Sequence, residues 1–327
     1  MLIIKRHHTN PYFNLAAEEY FLKYSTEDIF MLWRNEPAII VGKHQNTISE
    51  INIDYVKENN ISVVRRLTGG GAVFHDLGNL NFTFIQSGAE HTRNDFRKFT
   101  EPILEVLQKL RIDARFEGRN DLTIEGKKFS GNAETVWKNR VLHHGTLLFS
   151  ATITDLSQAL KVNEAKFQDK AVKSVRSRVT NISEHMHEDM DVMEFSKLIQ
   201  NHISGLYPDA RFYELSDVDH SIINELVQTK YCTWDWNFGS SPSYNFRKVI
   251  RTENSGTMEF CMDVNNGFIK QIRIYGDYFS HSDQKEIEEA LSGIPHTETA
   301  IRKAVAHFEI SDYFGKLTVD EFVAGLF

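Results

Sequence analysis

Cysteine is almost absent: the 327 residues include only Cys232 and Cys261. Two thiols are too few for a disulfide framework or a thiolate metal site, and they fit a reducing compartment. Long apolar runs are also missing. No stretch nears the ~18 consecutive apolar residues that a membrane span needs. The opening MLIIKRHHTN has no upstream basic region and no small-residue cleavage site. The expectation is a soluble cytoplasmic protein without a membrane partner. Excess positive charge is lacking too. With a net charge of −8, the chain is poorly suited to neutralising phosphates nonspecifically, so no nucleic-acid partner is expected. Hydrophobic residues at 41% and charged residues at 25% exclude disorder, collagen-like repeats and a coiled coil.

What is present is an ordinary globular composition, long enough for one large domain or a large and a small one. Short apolar runs predict strands over 2–4, 29–33, 38–41, 61–64, 72–74, 80–85 and 141–149. Asn14 at the head of an apolar pattern predicts a helix over 14–24. Asn35, Glu36 and Pro37 give turn chemistry between 29–33 and 38–41, which predicts a hairpin. Phe96, Phe99, Ile103, Val106, Leu107 and Leu110 recur at helical steps despite Pro102. Glu125 and Gly126 form a two-residue turn between strands at 121–124 and 127–132. Further helices are expected over 195–206 and 222–231.

A boundary is expected after the aromatic cluster Tyr231, Trp234, Trp236 and Phe238, where Gly239 opens a turn. Beyond it, alternation over 257–264 and 268–275 predicts a hairpin, followed by three short helices. The last is preceded by a Thr318–Glu321 capping box. Short turns link most strands, so the class is α+β. A large domain with a mixed or antiparallel sheet and flanking helices spans 1–240, and a small α+β domain spans 241–327.

The most informative stretch is RRLTGGGAVFHD, residues 65–76. Three glycines allow positive φ and close approach of backbone N–H groups to an anion. Arg66 beside them is a candidate phosphate-binding fork, although a flexible turn with surface arginines reads the same stretch equally well. The pattern is neither GxGxxG opening a helix nor a P-loop. In KKFSGNA, strand alternation lets only one of Lys127 and Lys128 face a site. In HHGTLL, the imidazoles of His143 and His144 must point apart, and packing or hydrogen bonding suits them better than a metal. Six basic residues between 161 and 182 could meet an anion or form a solvated face; ten acidic residues follow between 184 and 225.

Taken together and in order, RRLTGGGAVFHD, the NDL at 120–122, KKFSGNA at 127–133, HHGTLL and KSVRSRVTNI at 173–182 resemble the lipoate protein ligases, with WDWNFG closing the match near residue 240. The C-terminal segment resembles that family's small accessory domain. The resemblance implies a catalytic domain over 1–240 that turns lipoate and MgATP into lipoyl-AMP, then transfers the lipoyl group to a lysine of an acceptor. It implies apo lipoyl domains of 2-oxoacid dehydrogenase complexes and the glycine cleavage H protein as partners, and no tightly bound cofactor.

Residue by residue, it implies that Lys128 is the catalytic lysine, contacting both acyl carbonyl and phosphate. Arg66, Gly71, Ala72, Val73, Phe74 and Asn120 would serve the ATP or adenylate, with Lys173, Arg176 and Arg178 on a loop closing over it. Leu15, Trp33, Gly70, Gly71 and His144 would line the lipoate tunnel, and Asp121 would bind Mg²⁺. Two other readings share the fold: an ATP-independent octanoyl or lipoyl transferase, and a non-catalytic lipoate binder. The cysteines lie outside the motif blocks, which speaks against a thioester route.

Overall fold

The computed structural model describes residues 1–45, 47–88, 95–153, 159–160, 179–238, 246–252, 255–265 and 267–327. The strands up to residue 213 are β1 (Leu2–Ile4), β2 (Ile29–Trp33), β3 (Ala38–Val41), β4 (Ser62–Arg65), β5 (Val73–His75), β6 (Asn79–Ser87), β7 (Ala114–Glu117), β8 (Asp121–Ile124), β9 (Lys127–Trp137), β10 (Arg140–Leu148) and β11 (Arg211–Tyr213). An eight-stranded sheet has the order β11-β1-β2-β6-β10-β9-β8-β7. β1 runs parallel to both neighbours, and the other pairs are antiparallel. A separate sheet, β4-β3-β5, carries the glycine loop between β4 and β5. Residues after 245 form β12 (Phe246–Thr252), β13 (Gly256–Asn265) and β14 (Phe268–Gly276), an antiparallel sheet with four short helices after it. The architecture is α+β, as expected. The boundary expected at 240 lies outside the described residues.

Period-two alternation sorts the central strands onto two faces. Phe30, Leu32, Phe82, Phe84 and Val141 enter a core under the helices Phe96–Lys109 and Val192–Leu206. Ile29, Met31, Trp33, Ile85 and Leu142 enter the opposite core, under the helix Pro11–Tyr24. The same alternation puts Asn81, Thr83 and His144 beneath that helix, because His144 pairs with Thr83 and Trp33 with Asn81 across the strands. One face of the sheet is therefore mainly apolar packing around the His143–Glu134 pair, and the other carries Asn81 and His144 toward a cavity.

Several local expectations are corrected. The first helix starts at Pro11, with Asn10 as its cap accepting from the Phe13 N–H at 3.1 Å. Asn14 sits one turn in, with its amide bonded to the carbonyls of His8 and Arg34. The hairpin expected between 29–33 and 38–41 does not form: β2 pairs with β1 and β6, and β3 pairs with β4 and β5. Asn35 is fully buried between Asn14 and His75. The link is thus an interior crossing between sheets and not a surface turn. β12 was not anticipated, and four C-terminal helices replace the three expected.

Other signals read locally are present. Glu125 and Gly126 both have positive φ, 52° and 73°, as a type I′ turn requires. Thr318 and Glu321 form their reciprocal cap. At the centre of the larger core, Phe84 packs against Phe30 and Phe99, with ring centroids 4.8 and 5.7 Å away. Phe84→Ala is expected to lower unfolding free energy by about 3–5 kcal/mol, read from the urea midpoint. A loss under about 1 kcal/mol would mean that this core collapses around the void.

Candidate active site

A cavity of about 140 Å³ opens between the 11–24 helix, the glycine loop and the ends of β9 and β10. Leu15, Trp33 and Ile40, each nearly inaccessible to solvent, form its apolar end. The Trp33 indole N–H is satisfied by the Thr83 hydroxyl at 2.9 Å, so the ring is fixed as well as buried. Lys128 and Asn120 lie at the other end, where the Lys128 side chain keeps 42% of its exposure. One end suits hydrocarbon and the other suits charge.

Arg66 shapes the loop between them. Its Nε–H donates to Thr68 Oγ1 (2.8 Å), Nη1 to the Ile40 carbonyl (3.1 Å), and Nη2 to the carbonyls of Gly69 (2.6 Å) and Gly71 (2.9 Å). Burial pushes this guanidinium down to about 10, partly offset by the Glu18 charge, so it stays cationic at neutral pH. Gly70 has φ +91°, and a Cβ there would meet Nη2 of Arg66. Loop and arginine are therefore matched: carbonyls turn inward to the cation, and the opposite backbone edge faces the cavity. Neighbouring Arg65 is structural, donating to carbonyls of Gly42, Lys43, Gln45, Trp236 and Asn237.

A polar chain continues from the loop to the sheet. The Thr68 hydroxyl, accepting from Arg66, lies 2.8 Å from His144 Nε2. His144 Nδ1 lies 2.9 Å from the buried Glu18 carboxylate, which also accepts from the Thr83 hydroxyl at 2.6 Å. His143 faces the other way, between Glu134 and the rings of Phe82 and Phe99.

At the mouth, Lys128 Nζ is 2.7 Å from Asp121 Oδ1. Gly131 leaves room for this lysine, since a Cβ there would stand 3.0 Å from Lys128 Cε and Nζ. Asn120 and Asn132 exchange amide-to-carbonyl bonds of 2.6 and 3.0 Å, locking the 120–132 edge beside it. Lys127 is exposed, on the other face of β9. The C-terminal sheet also reaches this region. The Gly276 N–H donates to the His44 carbonyl at 2.6 Å, His44 stacks on Tyr278, and Phe279 sits under the Arg119 guanidinium at 4.6 Å.

Of the residues singled out from sequence, Leu15, Trp33, Arg66, Gly70, Gly71, Ala72, Val73, Asn120, Lys128 and His144 line this one cavity. Asp121 stands beside it through Lys128. Phe74 does not line it: its side chain is in a separate core with Ile39, Val41 and Val63, because β5 alternates. Lys173, Arg176 and Arg178 lie outside the described residues. Sequence reasoning missed Glu18, Thr68, Thr83 and His75. Glu18 carried a signal, a carboxylate three residues after Leu15 on one helix face.

Two family models match the chain. Residues 10–204 match the lipoyl protein ligase A/B catalytic domain, and residues 241–326 match the bacterial lipoate protein ligase C-terminus. The chain belongs to the lipoate-protein ligase family. Lipoate-protein ligase 1 of Staphylococcus aureus is 43% identical over 96% of each chain, and lipoate-protein ligase LplJ of Bacillus subtilis is 40% identical over 99% of each. Plasmodium falciparum LipL1, solved in complex with lipoate, superposes with TM-score 0.76 at 26% identity, covering 99% of this chain and 98% of that one. A lipoate-protein ligase A solved with ATP gives TM-score 0.62 at 28% identity over 73% of this chain and 98% of its own.

In this ligase-family chain, Arg66→Ala would remove the Arg66 donor from the buried carbonyls of Ile40 and Gly69 and from the partly buried carbonyl of Gly71. Each buried group left unpaired costs about 1–3 kcal/mol. The expected result is faster amide hydrogen exchange in the glycine-loop peptide together with lowered stability. Unchanged exchange there would show that the loop holds its shape without the guanidinium.

Proposed function

We propose that this chain activates lipoate with MgATP and transfers the lipoyl group to a lysine of an apo lipoyl domain. The observation that carries the reading is Lys128: an ammonium lining the same cavity as the glycine loop and the apolar end formed by Leu15, Trp33 and Ile40. In the first half reaction a lipoate carboxylate oxygen attacks the α-phosphorus of ATP, forming lipoyl-AMP and releasing pyrophosphate. In the second, an acceptor amine attacks the acyl carbonyl, an amide forms and AMP leaves. Lys128 acts by charge and hydrogen bonding, stabilising the oxyanions that develop on carbonyl and phosphate. The glycine loop, shaped from behind by Arg66, presents backbone to the adenylate along Gly70–Val73. Phe74 would contribute through its backbone only.

Asp121 is the residue suited to Mg²⁺ arriving with the nucleotide, since Mg²⁺ keeps several waters and takes one or two carboxylates plus phosphate oxygens. Among the described residues no group of three or more His, Cys, Asp or Glu side chains is arranged for a metal. Lys173, Arg176 and Arg178 are proposed to close over the adenylate and keep water from the mixed anhydride. A thioester route finds no support at the cavity: Cys261 is buried in β13 with its thiol pushed up by burial, and Cys232 lies after the 217–231 helical segment.

The division into a catalytic domain over 1–240 and an accessory domain over 241–327 is part of this proposal. So is the choice of acceptors, lipoyl domains of 2-oxoacid dehydrogenase complexes and the glycine cleavage H protein. A bipartite Thermoplasma acidophilum ligase, 32% identical over 75% of this chain, was solved in a study with its E2 lipoyl domain, which supports that class. Among the described residues no helix is long and apolar enough to cross a membrane. Use of ATP favours the cytoplasm as the place of action.

Incubation of an apo lipoyl domain with the protein, lipoate and MgATP should add one lipoyl mass and yield AMP, not ADP; mass gain without ATP would identify a transferase instead. Lys128→Ala should lower pyrophosphate release at least 100-fold, as loss of an oxyanion-stabilising donor does, with the melting temperature nearly unchanged. Retained release would remove Lys128 from the chemistry. Trp33→Val should widen the apolar end and admit carboxylates with bulkier tails; unchanged tail preference would make Trp33 purely structural.

A further inference from the structure

A second chain of polar groups reaches the cavity from the N-terminal segment, and its direction is set at its far end. Arg6 can only donate, and its Nη2 does so to Asn14 Oδ1. Asn14 is thereby oriented, and its Nδ2 turns toward three acceptors that share its two N–H groups, the His8 and Arg34 carbonyls and Asn35 Oδ1 at 2.8 Å, which keeps the Asn35 oxygen on that side. The Asn35 Nδ2 then faces His75 Nδ1 at 3.0 Å. An amide nitrogen offers no lone pair, so His75 Nδ1 accepts and the ring proton sits on Nε2. Asn14, Asn35 and His75 are all buried, at 1%, 0% and 2% exposure. Burial, reinforced by the charge of Arg66, pushes His75 down to about 3, so the ring is neutral near neutral pH.

The Nε2–H so fixed has no hydrogen-bond partner among the described residues. His75 nevertheless lines the cavity at its closed end, edge-on to Trp33 with ring centroids 6.0 Å apart. Buried donors in native proteins are overwhelmingly paired, and an exception calls for a role. Here the missing acceptor is one that a ligand can bring.

We propose that His75 determines specificity: its Nε2–H meets an acceptor atom near the tail of the bound acyl chain, so the tunnel favours a sulfur-bearing ring over hydrocarbon of the same shape. This rests on the ligase reading, which seats the carboxylate at Lys128 and leaves the tail among Leu15, Trp33 and His75. The divalent sulfurs of a cyclic disulfide, like the sulfur of Met, are weak acceptors and a methylene is none. A hydrocarbon tail therefore excludes water from the N–H without replacing it, which penalises that tail. Arg6, Asn14 and Asn35 are positioning residues that hold the ring in the donating tautomer.

The test compares pyrophosphate release by the full chain with lipoate and with 5-cyclopentylpentanoate, whose ring carries methylenes where lipoate has sulfurs. The wild type should favour lipoate about tenfold in kcat/KM, mainly through KM, as one weak buried hydrogen bond would give. His75→Leu should bring the two acids within about twofold of each other, while His75→Gln, able to accept from Asn35 and donate into the tunnel, should keep the preference. Equal use of both acids by the wild type, or an unchanged preference in His75→Leu, would overturn the proposal. Should His75→Leu not fold, the wild-type comparison decides alone. Absence of pyrophosphate from either acid would overturn the ligase reading and this proposal with it, whereas equal release from both would overturn this proposal only.

Discussion

The Arg66 guanidinium is the point at which the parts of the site are tied together. One buried cation holds β3 through the Ile40 carbonyl and the glycine loop through Gly69 and Gly71. Through Thr68 it reaches His144 and the Glu18 carboxylate of the first helix. A loop of three glycines has high conformational entropy when free. Ordering it needs a partner that satisfies several carbonyls at once, and a planar guanidinium with donors in a fixed fork does so with one side chain. Burying a charge is costly, and here the cost is offset by those bonds and by the nearby Glu18 carboxylate.

From that anchor the site divides by dielectric. Its closed end is assembled from the helix and sheet face that also make a core, so its walls are closely packed. Its mouth carries a half-exposed ion pair, Lys128 with Asp121, which an arriving nucleotide can rearrange at little cost because such pairs are weakly held in water. The C-terminal sheet contributes contacts beside the glycine loop, through His44, Tyr278 and Phe279. Residues after 245 thus touch elements that flank the cavity.

Much of this was legible in the sequence because it is local. Strand alternation separated His143 from His144 and Lys127 from Lys128, and the Glu125–Gly126 turn fixed where β9 begins. Residues far apart in the chain could be grouped into one site because their motifs, taken in order, resemble one family. Other features could not be read because their cause is tertiary. Asn10, not Asn14, caps the first helix, as Asn14 is spent inside on the 35–75 network. Asn35 looks like a turn residue and is an interior crossing. Glu18 and His75 acquire meaning only through partners 126 and 40 positions away.

The most direct test is a crystal structure of the protein with a non-hydrolysable lipoyl-adenylate analogue. Lys128 Nζ is expected within hydrogen-bonding reach of both the acyl carbonyl and the phosphate oxygens. The Gly70–Val73 backbone is expected along the adenylate and the ring end beside Trp33 and His75. An adenylate bound away from Lys128 and the glycine loop would contradict the ligase reading.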